Sequence, residues 1–332
     1  MKLVVFILAV IFSGALSHPL ISDEPRWTIT RDGEGNMHLV DLNPVDAEVE
    51  PAFDAWTDTF FLLFTRSNPT VGQRITWTRE SIEQSHFRRG GQVRVLAHGW
   101  GGSSSSSENL STTREFLALG DYNVIVVDWS VGAGSANYIT SRNRVGITGQ
   151  VVARLIDYLD EIGFATHSNV NVVGHSLGSH VAGHTGKSVQ RGRINAIFGT
   201  DPAGPLFNIN NPNDRLDIGD AVYTEALHTN AGVLGFDEPI THSSFYPNWG
   251  RNQPGCGVDI GGGCAHGRAT LFYAESVNSD RFVARQCASY AEIVAENCPG
   301  TGVTGIMGGD NAKAIRGVFF LTTNAQSPFA QG

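Results

Sequence analysis

From Phe60 onward the chain alternates short apolar runs with longer stretches whose apolar residues recur at a helical period. Residues 60–65 (FFLLFT) form a run of the buried-strand kind, stopped by Asn68-Pro69. VRVLA at 93–97 predicts a second strand, and residues 108–119 a helix ending at Gly120. NVIVVD at 123–128 is almost continuously apolar, as in a parallel-sheet strand covered on both faces. Residues 143–162 carry Val151, Val152, Leu155, Ile156, Leu159 and Ile162 on one helical face. A strand at 170–173 (VNVV), a helix at 177–189 and strands at 194–198 (INAIF) and 221–227 continue the series. Such alternation predicts an α/β fold, a mostly parallel central sheet with helices on both faces. The serine-rich GGSSSSSEN reads as a loop within this domain, since a strand precedes it and a helix follows. No internal repeat is visible.

The N-terminus has another character. Met1-Lys2 is followed by LVVFILAVIF and then by small residues from Ser13 to Ser17. A charged start, an apolar stretch of about ten residues and an A-x-S site predict a secretory signal peptide over 1–17. A membrane anchor needs about 20 apolar residues, and His18-Pro19 ends the run too early. No other run is long enough to span a bilayer, so no transmembrane segment is expected. Residues 18–58 are polar, with Pro19, Pro25, Pro44 and Pro51, and read as a surface lead-in or a pro-segment ahead of one domain at 59–332.

Composition narrows the classes. With 41% hydrophobic and 17% charged residues, the chain is globular and not a disordered acidic one. A net charge of −9 argues against nucleic-acid partners and gives no pull toward anionic membranes. Lipid contact would have to run through apolar surface. No P-loop or GxGxxG follows a strand, so nucleotide binding has no support. Export makes Cys256, Cys264, Cys287 and Cys298 disulfide candidates, with three pairings open. The neighbour pairing, 256–264 and 287–298, closes two short loops and is the one expected. A zinc site is the rival, with spacings that do not fit. Asn109-Leu110-Ser111 is the one glycan acceptor signal.

Gly174-His175-Ser176-Leu177-Gly178 is G-x-S-x-G between a β-rich run and a helical one. The glycines permit a sharp strand-to-helix turn that presents the Ser176 hydroxyl, and the helix beginning there aims its amides at an anion. A serine nucleophile needs a base, and the base an orienting acid, in the chain order Ser, acid, His. INAIFGTD supplies Asp201 at the end of the next strand; Asp214, Asp217 and Asp220 lie in a polar loop and look structural or ion-binding. Downstream, His228, His242 and His266 remain as bases. His266 is favoured because a Cys264 disulfide would pin the loop carrying it, with His228 and His242 left open. For the oxyanion, Leu177 N–H is one donor and Trp100 N–H, in His98-Gly99-Trp100-Gly101-Gly102, the other. The Trp100 side chain could also line the acyl site; His98 reads as a brace for the loop.

HGW, VVDWS, VVGHSLGSHVAG, GTDPAGP, CAHGRA and the Cys-x-Ser-Tyr at 287–290 together resemble the pancreatic-lipase family, from about Phe60 to the terminal GVFFLTTNAQSPFA. The resemblance implies the α/β-hydrolase fold and a secreted, extracellular serine esterase acting on acylglycerols or on phospholipid sn-1 esters. It implies nucleophile Ser176, acid Asp201, base His266, oxyanion amides of Trp100 and Leu177, and the neighbour disulfides. The substrate implied is lipid at an interface or in micelles, and the chemistry requires no cofactor.

Three departures limit it. The family's digestive members carry a C-terminal β-sandwich that docks a protein cofactor; this chain stops where that would begin, so no protein cofactor is implied. The family lid, between the two cysteines before the histidine, is here only GVDIGGG, as short as in wasp venom phospholipases; gut lipases of insect type share the overall plan. The family calcium loop resembles Arg215–Asp220, with Asp217 and Asp220 matching its side-chain ligands. Its earlier part differs, with Pro212 where an acid is usual. Calcium stays an open expectation there, structural and not catalytic. The competing class is a secreted lipid-binding or yolk-type storage protein of this fold, which in this family has lost the nucleophile that Ser176 retains.

Overall fold

The computed structural model describes residues 27–31, 37–42 and 52–332. The expected signal peptide lies outside the described residues. Within the stretch expected as a lead-in, β1 (Trp27–Arg31) and β2 (Met37–Asp41) pair as an antiparallel hairpin.

The large sheet contains β3 (Phe60–Phe64), β4 (Gln73–Ile75), β5 (Val93–Ala97), β6 (Asn123–Asp128), β7 (Val170–His175), β8 (Ala196–Thr200), β9 (Tyr223–Leu227), β10 (Ser243–Pro247), β11 (Val283–Cys287), β12 (Thr304–Ile306) and β13 (Gly317–Leu321). Their order is β12-β11-β13-β10-β9-β8-β7-β5-β6-β3-β4. Strands β6, β5, β7, β8, β9, β10 and β13 run parallel. The edge strands β3, β4, β11 and β12 pair antiparallel.

Four long helices cover the two faces: α1 (Ser107–Leu119), α2 (Tyr138–Glu161), α3 (Leu177–Ser188) and α4 (Gly263–Ser276). Val95, Ile125, Val172 and Ile197 pack with α2 and α3. Leu96, Val126, Val173 and Phe198 pack with α1 and α4 on the other face. Both faces are buried, so the central strands read as unbroken apolar runs. Arg94 is the exception within β5. It is 2% exposed and pairs through Nε and Nη2, one edge of its guanidinium, with Asp310, which also accepts a 2.7 Å hydrogen bond from the Tyr122 hydroxyl.

Some boundaries differ from expectation. The strand expected at 194–198 is Ala196–Thr200, because Gly199 and Thr200 pair with Gly174 and His175 in the sheet centre. The helix expected from 143 begins at Tyr138, where the Asn137 carboxamide accepts the Ile139 N–H at 2.9 Å. Strand β10 (SSFYP) had no apolar signature; its buried Ser243 donates to the Ile315 carbonyl at 2.9 Å. Asn109, the glycan signal, is buried in α1, and its side-chain nitrogen donates to the Ser103 carbonyl at 2.9 Å. No helix among the described residues is long and apolar enough to cross a membrane.

Candidate active site

The carboxyl ends of the parallel strands converge on one edge of the sheet, where α/β folds place their ligands. β5 ends there in the His98–Gly102 loop, β7 in Ser176, β8 in Asp201 and β9 in His228. Ser176 has φ 56° and ψ −122°, a strained conformation at the strand-to-helix turn. The turn is tight because Gly174 and Gly178 lack side chains. A Cβ on Gly174 would collide with the Gly178 carbonyl, and one on Gly178 with the Ala97 carbonyl. The Ser176 N–H donates to Thr200 O at 3.2 Å, and its carbonyl accepts from Ser179 N at 3.0 Å and Ala203 N at 3.2 Å.

Asp201 is fully buried with a positive φ of 47°. Its Oδ1 accepts the Thr229 N–H at 2.7 Å and the Asn230 N–H at 3.1 Å. Its Oδ2 faces His266 Nδ1 at 2.6 Å. With both amides on Oδ1, Oδ2 is free to take an Nδ1–H, leaving Nε2 of a neutral imidazole as the acceptor. His266 sits in the first turn of α4 and not in a loop, correcting that expectation. The Cys256–Cys264 disulfide and the Asp259 carboxylate, which accepts from Cys264 N at 3.0 Å and Ala265 N at 2.7 Å, fix that turn. The second disulfide joins Cys287 and Cys298. His266 also lies over His175, ring centroids 4.6 Å apart. Burial and the neighbouring His266 hold His175 well below the usual histidine range, so it stays neutral beside the site.

The other two histidines are used elsewhere. His228 Nδ1 donates to the Phe236 carbonyl at 2.9 Å while its ring stacks on Tyr246. His242 Nδ1 accepts the Thr224 N–H at 3.0 Å, near the opposite ends of the strands.

Gly99 brings the His98–Gly102 loop against the nucleophile: a Cβ there would lie 2.9 Å from Ser176 Cβ. Neighbouring amides are spent, Gly101 N on Ala133 O at 2.9 Å and Gly102 N on Gly99 O at 3.2 Å. Those of Trp100 and Leu177 have no backbone acceptor among the described residues. The Trp100 indole is buried and donates to Ser135 O at 2.8 Å. His98 braces the loop. Its Nε2 accepts the Trp129 N–H at 3.2 Å, so Nδ1 carries the proton donated to Gly99 O at 2.9 Å. Burial pushes its pKa down to about 4. His180, which no sequence reading singled out, accepts Leu216 N–H on Nδ1 at 3.0 Å and donates from Nε2 to Ala203 O at 2.8 Å. It ties α3 to the segment after Asp201.

The rival acids have other partners. Asp214 pairs with Arg142. Asp217 pairs with Arg215 at 2.9 Å, and Asp220 with Lys187. Asp220 Oδ2 also accepts the Asp217 N–H at 2.8 Å. Burial raises the Asp220 carboxyl to about 6 against the pull of Lys187. Calcium takes 6–8 oxygens; here both carboxylates already neighbour the chain's own cations, so as it stands the loop does not fit that ion.

Beside the segment after Asp201, a cavity of roughly 340 Å³ is walled by Leu206, Phe207, Ile209, Val233 and Phe236, with Asp237 and Glu238 also lining it.

Several known proteins are similar to this chain. Pancreatic triacylglycerol lipase of Mus musculus is 33% identical over 93% of this chain and 70% of its own length. Pancreatic lipase-related protein 2 of Homo sapiens matches at the same identity and coverage. Lipase member H of Danio rerio is 36% identical over 71% of this chain and 53% of its own length. Among solved structures, MGS-M1, an α/β hydrolase enzyme from a deep-sea metagenome library, aligns at 16% identity over 64% of this chain and 73% of that one, TM-score 0.34. The Lipase family profile matches residues 33–329, nearly the whole described chain. A parallel sheet with a serine elbow at its carboxyl edge, matched over that span, makes the protein a member of the lipase family, a lipase-type carboxylic ester hydrolase.

Proposed function

We propose that this is a secreted serine hydrolase of lipid esters working through an acyl-enzyme. The observation that carries the reading is the 2.6 Å contact between His266 Nδ1 and a buried Asp201 whose other oxygen holds two amides. His266 Nε2 takes the Ser176 proton as Oγ attacks the ester carbonyl carbon, and Asp201 stabilises the imidazolium. The amides of Trp100 and Leu177 receive the oxyanion. On collapse His266 passes its proton to the departing alcohol. Water then enters by the same base, and the acid leaves as Ser176 is restored. Secretion is supported by the apolar leader and the two disulfides.

The short lid bears on substrate. Val258 is 92% exposed and Ile260 67%, so the seven residues after Cys256 bury little apolar surface over the site. At about 25 cal/mol per Å² they contribute little to a closed state. The mouth then has room for a polar head group, which favours sn-1 phospholipid hydrolysis alongside glyceride hydrolysis.

Ser176→Ala tests the core of the reading. Covalent serine reagents are expected to label the parent and not the variant, with hydrolysis abolished and the fold intact. Labelling that persists in the variant would refute it. A turnover comparison of triolein against phosphatidylcholine then decides the substrate.

A further inference from the structure

The hairpin ahead of the main sheet exposes apolar side chains on one of its faces. Along β2, Val40 is 4% exposed and joins the core beneath, and His38 packs edge-on against Trp100 with ring centroids 5.1 Å apart. The alternate residues Met37 and Leu39 are 42% and 67% exposed. Across the pair, Ile29 opposes Leu39 and is 40% exposed. A strand with one solvated face normally puts polar residues there. The hairpin also touches the lid: a Cβ on Gly261 would come within 2.8 Å of Met37 Cε and 2.9 Å of Ile29 Cγ2. With Ile260, 67% exposed beside Gly261, the exposed apolar side chains of hairpin and lid form one rim. That rim adjoins Trp100 on one side and the lid that leads into His266 on the other.

We propose that β1, β2 and the lid form a docking surface for a neutral or zwitterionic lipid surface, seating the mouth of the site on it. This rests on the lipid-ester reading above. Two observations choose the occupant. The patch is continuous with the site that must receive the substrate. The chain's net charge of −9 disfavours anionic surfaces, leaving apolar insertion as the attraction. The hairpin thus supplies the apolar face that seven lid residues are too few to present.

The test uses the full chain. Vesicle binding is read by flotation with phosphatidylcholine vesicles in a Ser176→Ala background, where no hydrolysis interferes. Ile29→Asp combined with Leu39→Asp is expected to weaken vesicle partitioning by about 100-fold, roughly tenfold per side chain. The same pair in the active enzyme keeps turnover of a monomeric short-chain ester within about twofold, which shows that the fold is intact. Val71→Asp is the control. Val71 is 75% exposed in the loop after β3, and Phe64 pairs with Val124 at the opposite end of the sheet. Unchanged partitioning in the double variant, or an equal loss in the control, would overturn the proposal. So would a dimer, seen by light scattering, that the double variant splits while vesicle binding persists. A parent that turns over no monomeric ester sinks the lipase reading; turnover without vesicle binding sinks only the docking surface.

Discussion

Replacing Asp201 by Asn removes a charge and also dictates which nitrogen of His266 is protonated. The Asp201 site is fully buried, and its Oδ1 position accepts two backbone amides, from Thr229 and Asn230. An asparagine carbonyl can keep both of those bonds only by turning its NH₂ toward His266 Nδ1. That nitrogen must then accept, so the proton moves to Nε2, the atom that should receive the serine proton. The opposite orientation restores the correct tautomer but faces an NH₂ with two amide N–H groups. Each amide left unpaired costs about 1–3 kcal/mol, so the flipped form is disfavoured by at least about 2 kcal/mol, or roughly 30-fold. Even if that form were fully competent, kcat would fall about 30-fold; with the charge also lost, a fall of about 10⁴ is expected, as for triad hydrolases generally. The assay is steady-state and burst kinetics on a monomeric ester, with thermal unfolding as the check on folding. A folded Asp201→Asn enzyme that loses less than about 30-fold in kcat would refute both the hydrogen-bond assignment and the acid's role.

Stability should depend on pH through buried histidines. Burial lowers His98 to about 4 and His180 to about 3, so below pH 6.5 the unfolded chain binds protons that the folded one refuses, and stability falls as pH drops from about 6.5 to 4. At pH 5 the loss is about 2 kcal/mol for each of these two groups, and a Tm that stays flat over that window would contradict it. In the Arg215–Asp220 loop, Lys187→Met leaves Asp220 buried without its cation and should cost about 3–5 kcal/mol, whereas chelation should leave Tm unchanged. A chelator-induced fall in Tm would show instead that the loop rearranges around calcium. Replacing Cys256 and Cys264 together by Ser releases a loop with a sequence separation of 8. Denaturant unfolding should show a loss of roughly 2–3 kcal/mol, and kcat should fall as well, because the turn carrying His266 loses its tether; an unchanged kcat would mean that Asp259 alone holds the turn.

The nucleophile's setting was legible because a buried parallel strand announces itself as an apolar run, and each candidate group follows one directly: Trp100 after VRVLA, Ser176 after VNVV, Asp201 after INAIFGT. Strand β10 and helix α4 were not, because both are local exceptions to the pattern. Ser243 and Ser244 are buried with hydroxyl partners, and α4 opens on Gly-Cys-Ala-His-Gly, a poor helix former held by a disulfide and the Asp259 carboxylate. The histidine could not be singled out by spacing, since His228, His242 and His266 all follow the acid. They are separated only by contacts distant in sequence, the Phe236 carbonyl for one, Thr224 for the second and Asp201 for the third. The same limit applies more strongly to what makes Asp201 an orienting group. Its charge is held by the backbone amides of Thr229 and Asn230, and a backbone amide is carried by every residue but proline, so no residue type at 229 or 230 signals it. What places those amides is the β8–β9 register, in which Thr200 pairs with Leu227 and Asp201 N–H donates to the Leu227 carbonyl at 2.7 Å. The acid's chemistry is therefore a property of how two strand ends are aligned, and a variant that shifted that register would silence the site with every motif residue still in the sequence.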